Sequence, residues 1–374
     1  MVRVDLIEAL TKSDADVCPP NFTDHVYKSA HGVNIGARVW PAPSTSTEPK
    51  GFILWIHGGG WVGGAHFTPR PWLVPAFHSL GYHIIGGAYR LCPHVDVETS
   101  LNDCLDLVAW CRKQLPDVIG EDKVDVDKYC ILGESAGGHL VTLMATRLDP
   151  APKVVVDIYG VVDFMDPYTG MTTPPKEPYK PSSAPAAPEN ADSNAEITEE
   201  EILAALHDHD PSHALSDAVF SKSDLTRPLT KNWKVDFPIT RRIRLQLAVQ
   251  NYTSTPGSKY VGLFHPERFS SHGEVVEFIK SVSPMQILDR EEYTSGKKKY
   301  PPTAMMHGTA DEPVPVDQTY RFAKKLKELG TETVVCIEEG QPHVFDHVYS
   351  GPEIEGWKEY IQPVVDFVQK HIEA

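Results

Sequence analysis

Residues 133–138 read Gly-Glu-Ser-Ala-Gly-Gly, directly after the apolar run 129–132 and directly before a stretch, 136–147, with the composition of a helix. A Gly-x-Ser-x-Gly string at a strand-to-helix junction forces a turn so tight that only small residues fit at its flanks, and it leaves the central hydroxyl standing clear of the backbone. Taken alone, such a string also suits an ordinary glycine-rich turn. Its position between strand and helix favours an exposed nucleophile, Ser135.

The rest of the chain supplies the setting this elbow needs. Apolar runs at 52–56, 82–88, 129–132, 154–159, 303–306 and 333–337 are short and rich in β-branched and aromatic residues. Being apolar on both faces, they suit strands buried inside a parallel sheet. Helical patterns at 97–114, 136–147, 316–329 and 355–371 lie between or after them, the third closing at Gly330. This alternation predicts an α/β protein with a mostly parallel, doubly wound sheet flanked by helices.

The alternation breaks between 164 and 300. We expect a catalytic core from 1–163 and 301–374, with 164–300 inserted as a cap region over the active edge of the sheet and the N-terminal segment 1–30 as a candidate to join it. The insertion opens with a proline-rich excursion at 172–195, where prolines remove backbone donors and little apolar surface is available to bury. A helix is expected at 199–207, followed by scattered aromatics: Trp233, Phe237, Tyr252, Tyr260, Phe264 and Phe269.

A second motif, His57-Gly58-Gly59-Gly60-Trp61, follows the run 52–56. Acyl transfer develops negative charge on the former carbonyl oxygen, and backbone amides reach that oxygen only where no side chain blocks the approach. Gly59 and Gly60 are the expected oxyanion donors, with Ala136 adding a third from the elbow. The plainer reading, a flexible glycine loop, is disfavoured by the elbow downstream.

A serine hydroxyl needs a base, and the 17 histidines make histidine content uninformative. Chain order discriminates, because the acid and then the base follow the serine, each after a later strand. His343 lies just past the run 333–337, in Gln341-Pro342-His343-Val344-Phe345, whereas His347 one turn onward reads as a surface or packing residue. Asp311 follows the run 303–306, in His307-Gly308-Thr309-Ala310-Asp311, where a carboxylate can orient the imidazole. Glu312 is its nearest competitor, and Asp317 belongs more naturally to the next helix.

Other chemistry-bearing residues receive plainer readings. His207-Asp208-His209-Asp210 with His213 holds ligand-type residues, but the i, i+2 spacing separates His207 from His209 on a helix, so a solvated turn is expected and no metal. Glu134 is expected to brace the elbow by hydrogen bonding. The six cysteines form no C-x-x-C pair, and Cys92 and Cys104, neither within an elbow, read as buried thiols. A formal net charge of −16 opposes nucleic-acid binding. The absence of a long apolar run predicts no membrane span, and a cytoplasmic protein is the default. The glycosylation-type triplets at Asn21 and Asn251 are read as chance.

The glycine loop, Gly133-Glu134-Ser135-Ala136-Gly137, Asp311 and His343 together resemble the hormone-sensitive-lipase-like branch of the α/β-hydrolases, which includes arylacetamide deacetylases and many carboxylesterases. The resemblance covers roughly 50–160 and 280–372; it departs at Glu134, where the family commonly has Asp, and in the length of 164–300. It implies the α/β-hydrolase fold, the residue roles given above, no cofactor, and hydrolysis of a small-molecule carboxylic ester. Aromatics in the insertion point to an apolar or aromatic substrate, against the plainer reading that such stripes pack in the core. Relatives on this fold also act as dehydratases, release polyketide-type intermediates as thioesterases do, or serve as small-ligand receptors that lack the histidine. Oligomeric state is not legible.

Overall fold

The computed structural model describes residues 21–43, 48–176, 196–218 and 240–374. Eight strands form one sheet: β1 (Thr23–Ala30), β2 (Val33–Trp40), β3 (Lys50–Ile56), β4 (His83–Gly87), β5 (Val124–Glu134), β6 (Val154–Ile158), β7 (Thr303–Gly308) and β8 (Thr333–Glu338). Their order is β1-β2-β4-β3-β5-β6-β7-β8. β2 pairs antiparallel with β1 and β4, and every other pairing is parallel. Each of the six apolar runs read from sequence is a strand of the parallel part.

The described α-helices are α1 (Leu73–Ser79), α2 (Val97–Ile119), α3 (Ala136–Met144), α4 (Glu199–Leu206), α5 (Arg241–Tyr252), α6 (Ser258–Phe264), α7 (His272–Ser281), α8 (Pro284–Leu288), α9 (Glu291–Thr294), α10 (Asp317–Glu328) and α11 (Gln362–Glu373). Alternate residues of β3 serve two cores. Phe52, Leu54 and Ile56 pack in a layer with Leu107 of α2, Leu140 of α3 and Phe322 of α10. Ile53 and Trp55 pack in another with Phe77 of α1 and Val364 and Val368 of α11. Burial on both faces is why the central strands read as unbroken apolar runs.

The hairpin β1–β2 was not foreseen. β1 is half exposed and carries Asp24, His25 and Lys28, so it lacks the apolar signature of the inner strands. Its turn, His31-Gly32, has φ of 53° and 79°, the left-handed pair that a two-residue hairpin requires. Ion pairs from Arg38 to Asp24 at 2.6 Å and from Lys28 to Asp103 at 2.7 Å fasten the hairpin. Residues 21–30 of the N-terminal segment thus stand at the sheet edge, while 1–20 lie outside the described residues.

Helices α4 to α9 all fall between β6 and β7. The helix foreseen at 199–207 is α4, entered through a capping box between Thr198 and Glu201. Most of the proline-rich excursion, from 177 to 195, lies outside the described residues, as do Trp233 and Phe237. Among the described residues, no helix is long and apolar enough to cross a membrane.

Candidate active site

The elbow stands at the carboxyl end of β5, in the middle of the parallel strands. Ser135 adopts φ 53° and ψ −118°, outside the regions that L-residues prefer. Its amide donates to the Ile158 carbonyl at the end of β6, at 2.8 Å. A Cβ on Gly137 would come within 2.1 Å of the Ile56 carbonyl oxygen, so only glycine lets α3 start this close to β3. The small residues of the motif answer to this packing.

The two partner residues chosen from chain order arrive beside the serine. His343 Nε2 is 3.0 Å from Ser135 Oγ, and His343 Nδ1 is 2.6 Å from Asp311 Oδ2. Asp311 is held in turn by the Val314 amide, which donates to its Oδ1 at 2.8 Å. Burial pushes the Asp311 carboxyl up, but hydrogen bonds from His307 and His343 outweigh it and hold the group below its ordinary value. Of the competitors, Glu312 is exposed, Asp317 opens α10 and pairs with Arg321, and His347 lies in the short turn Phe345–Val348.

The glycine loop lies against the elbow. A Cβ on Gly58 would sit 3.2 Å from Ser135 Cβ. Gly59 has φ 116° and its carbonyl accepts from the amides of Val62 and Gly63, which folds the loop back on itself. Among the described residues, no backbone hydrogen bond outside the regular helices and strands uses the amide of Gly59, Gly60 or Ala136 as donor. Glu134 braces this arrangement: its Oε1 accepts the Gly58 amide at 3.1 Å and its Oε2 the Trp55 indole at 2.5 Å. Burial drives the Glu134 carboxyl up to about 7, against the pull of Arg70 and these two donors.

Sequence reasoning missed several residues that set this geometry. His307 is fully buried, with Nε2 3.1 Å from Asp311 Oδ2 and Nδ1 2.7 Å from Thr319 Oγ1. The insertion also seats itself on the glycine loop. Gln246 of α5 donates to the carbonyls of Val62 and Cys92, both at 2.7 Å, and Asp217 accepts the His66 amide at 3.0 Å. His307 had a local signal, its place four residues before Asp311. Gln246 and Asp217 had none, since nothing near them in the chain marks a partner more than 150 residues away.

The histidine-rich segment leaves the helix at His207 and continues as a turn, and its histidines face different partners. His207 Nδ1 donates to the Leu203 carbonyl, and His213 turns to Asp208 at 2.8 Å. His209 instead meets His265 and Glu267, with ligand-type atoms of all three within 4.8 Å of one another. The His209 and His265 rings stack at 3.7 Å, only 7° from parallel. Parallel rings this close cannot both hold one ion in their planes, so the arrangement does not suit a metal.

Comparison with known proteins gives a consistent picture. A family described as alpha/beta hydrolase fold matches residues 53–229, and one described as prolyl oligopeptidase family matches residues 261–374. The chain is 26% identical over 366 residues to the non-reducing polyketide synthase pkbA of Emericella nidulans, and 28% identical over 360 residues to the non-reducing polyketide synthase Preu6 of Preussia isomera. These alignments cover 93% and 91% of this chain but only 14% of each relative. Among solved structures, an esterase from Pyrobaculum calidifontis superposes with a TM-score of 0.57 at 17% identity, covering 100% of this chain and 92% of that one. A thermophilic esterase from Thermogutta terrifontis gives 0.53 at 17% identity, covering 94% and 92%. Sheet order, the family matches and the structural neighbours agree on one architecture, and the chain has the α/β-hydrolase fold.

Proposed function

We propose that this protein is a serine hydrolase that cleaves a carboxylic ester through an acyl-enzyme intermediate. Ser135 attacks the carbonyl carbon while His343 Nε2 takes the hydroxyl proton, and Asp311 keeps the imidazole in the tautomer that can accept it. The amides of Gly59, Gly60 and Ala136 receive the oxyanion. His343 then returns the proton to the departing alcohol, and a water activated by the same imidazole releases the acid. The observation that carries this reading is the placement of His343 between Ser135 Oγ at 3.0 Å and Asp311 Oδ2 at 2.6 Å.

In this reading 1–163 and 301–374 form the core, and 164–300 is a cap whose seat is the glycine loop. Support comes from Gln246 and Asp217, which belong to the insertion and bond to residues 62–66. The insertion's aromatics Tyr260 and Phe264 are buried in the hydrophobic core and Tyr252 and Phe269 pack against it, so their first role is packing. The five described cysteines are buried free thiols, which suits a reducing compartment such as the cytoplasm.

A second reading shares the same chemistry. Alignment along nearly the whole chain to parts of non-reducing polyketide synthases favours an acyl chain presented as a thioester, with a thiol in place of the alcohol as leaving group. Turnover of p-nitrophenyl esters from acetate to palmitate, run beside acyl-N-acetylcysteamine thioesters and fluorophosphonate labelling, tests both. Ser135→Ala should abolish labelling and nearly all turnover while the fold persists; full activity in that variant refutes the mechanism. A preference for the thioesters of at least tenfold in kcat/KM selects the second reading.

A further inference from the structure

Arg70 lies between the glycine loop and α1, and its side chain is 9% exposed. Neither the nucleophile nor the base requires it, yet it stands between two buried carboxylates. Its Nη2 is 3.4 Å from Glu134 Oε1, and its Nε is 3.7 Å from Asp346 Oδ2. Glu134 directly precedes the nucleophile and holds the Gly58 amide. Asp346 comes three residues after His343; it accepts the Trp72 indole at 3.0 Å and the Tyr159 hydroxyl at 2.6 Å. The Tyr159 ring packs 4.6 Å from the His343 ring. One cation is therefore the common neighbour of the carboxylate that holds the glycine loop and the carboxylate that anchors the histidine loop.

We propose that Arg70 is a positioning residue for the hydrolysis, tying the oxyanion loop and the His343 loop into one relative placement through Glu134 and Asp346. The inference rests on the roles proposed above for Ser135 and His343. Two loops joined to different strands have no covalent reason to keep a fixed separation, and a misplacement of about 1 Å is enough to cost about a hundredfold in rate. The guanidinium suits the task because it offers nitrogens on different edges of a rigid plane, whereas a lysine ammonium is a single point of charge. Burial works against the Arg70 charge, but Tyr159, Glu134 and Asp346 outweigh it and keep the group protonated above the ordinary arginine value. Two carboxylates buried this close to each other would repel without it.

The test compares the wild type with Arg70→Lys, Asp346→Asn and Ser135→Ala by kcat and KM on p-nitrophenyl butyrate, inhibition by a trifluoromethyl ketone, and thermal unfolding. Arg70→Lys keeps the charge and should fold, with kcat lowered at least tenfold, KM within twofold, and the ketone weakened by the factor lost in kcat/KM. A folded Arg70→Lys with wild-type kcat, or with a loss in KM alone, overturns the proposal. Should that variant fail to fold, Asp346→Asn decides: a fall in kcat of threefold or more at constant KM supports the clamp, and unchanged kcat overturns it. Wild-type turnover that Ser135→Ala removes establishes the underlying reading separately. If the wild type labels with fluorophosphonate but cleaves no ester, the labelling rate replaces kcat, and equal rates in wild type and Arg70→Lys overturn the proposal. A wild type that neither labels nor turns over overturns both.

Discussion

His307 Nε2 stands 3.1 Å from Asp311 Oδ2, the same oxygen that His343 Nδ1 approaches at 2.6 Å. The Val314 carbonyl, 2.8 Å from that His307 nitrogen, can only accept, so Nε2 carries the proton and donates to the carboxylate as well. Asp311 is therefore held by two imidazoles and an amide. His307→Leu should lower kcat/KM by about tenfold, a part of the 10² to 10⁴ that general-base catalysis supplies. Steady-state kinetics check it; a wild-type value would mean that Val314 and His343 suffice to hold Asp311.

Gly59 and Gly60 both have positive φ but differ in surroundings. A Cβ on Gly59 would meet the Gly63 carbonyl oxygen at 2.1 Å, whereas one on Gly60 would meet nothing within 4 Å. Gly59→Ala must move the loop and its amide, so kcat should drop by about 10² to 10³ while KM changes little. Gly60→Ala pays only the left-handed backbone strain of about 1–2 kcal/mol and should retain more activity. Equal losses in the two variants would contradict this account of the loop.

Glu134 makes stability depend on pH in the direction opposite to a paired surface carboxylate. Burial raises its carboxyl to about 7, so the folded state binds the proton more tightly than the unfolded chain does. Its contribution is complete below the ordinary glutamate value and is lost as pH rises through about 7. Relative to Glu134→Gln, the wild type should lose melting temperature as pH climbs from about 4.5 to 7.5. Parallel curves for the two proteins would exclude Glu134 as the source.

His139 acts with the reverse sign. Burial lowers it to about 4, against the bond its Nε2 makes to the Val282 carbonyl, and its Nδ1 accepts the Trp61 indole at 3.1 Å. The folded protein keeps this ring neutral while the unfolded chain protonates it, so stability is present above the ordinary histidine value and is lost as pH falls toward 4. Urea midpoints between pH 7 and about 4.5 should fall less steeply for His139→Gln than for the wild type. His57, lowered to about 4 by burial as well, leaves part of the slope in place.

Local chemistry made much of the fold legible. Strands buried on both faces announce themselves as apolar runs, and a turn with φ 53° at a serine demands small neighbours that stand out in any sequence. Chain order then narrowed the histidines to His343 without any knowledge of space. The edge hairpin escaped because its exposed strand mixes charged and apolar residues, and its pairing is specified by Gly32 and by ion pairs with distant residues.

By itself, then, the sequence determined the α/β alternation, the elbow at Ser135, the glycine loop and the order in which Asp311 and His343 follow. Only the tertiary structure decided that Arg70 faces both Glu134 and Asp346, that His307 shares an oxygen with His343, and that Gln246 seats the insertion on the loop. The physical reason is separation along the chain. A turn or a buried strand is specified by the residues that compose it, but a hydrogen bond such as that from Gln246 to Val62 joins groups 184 residues apart, and folding alone brings them within reach.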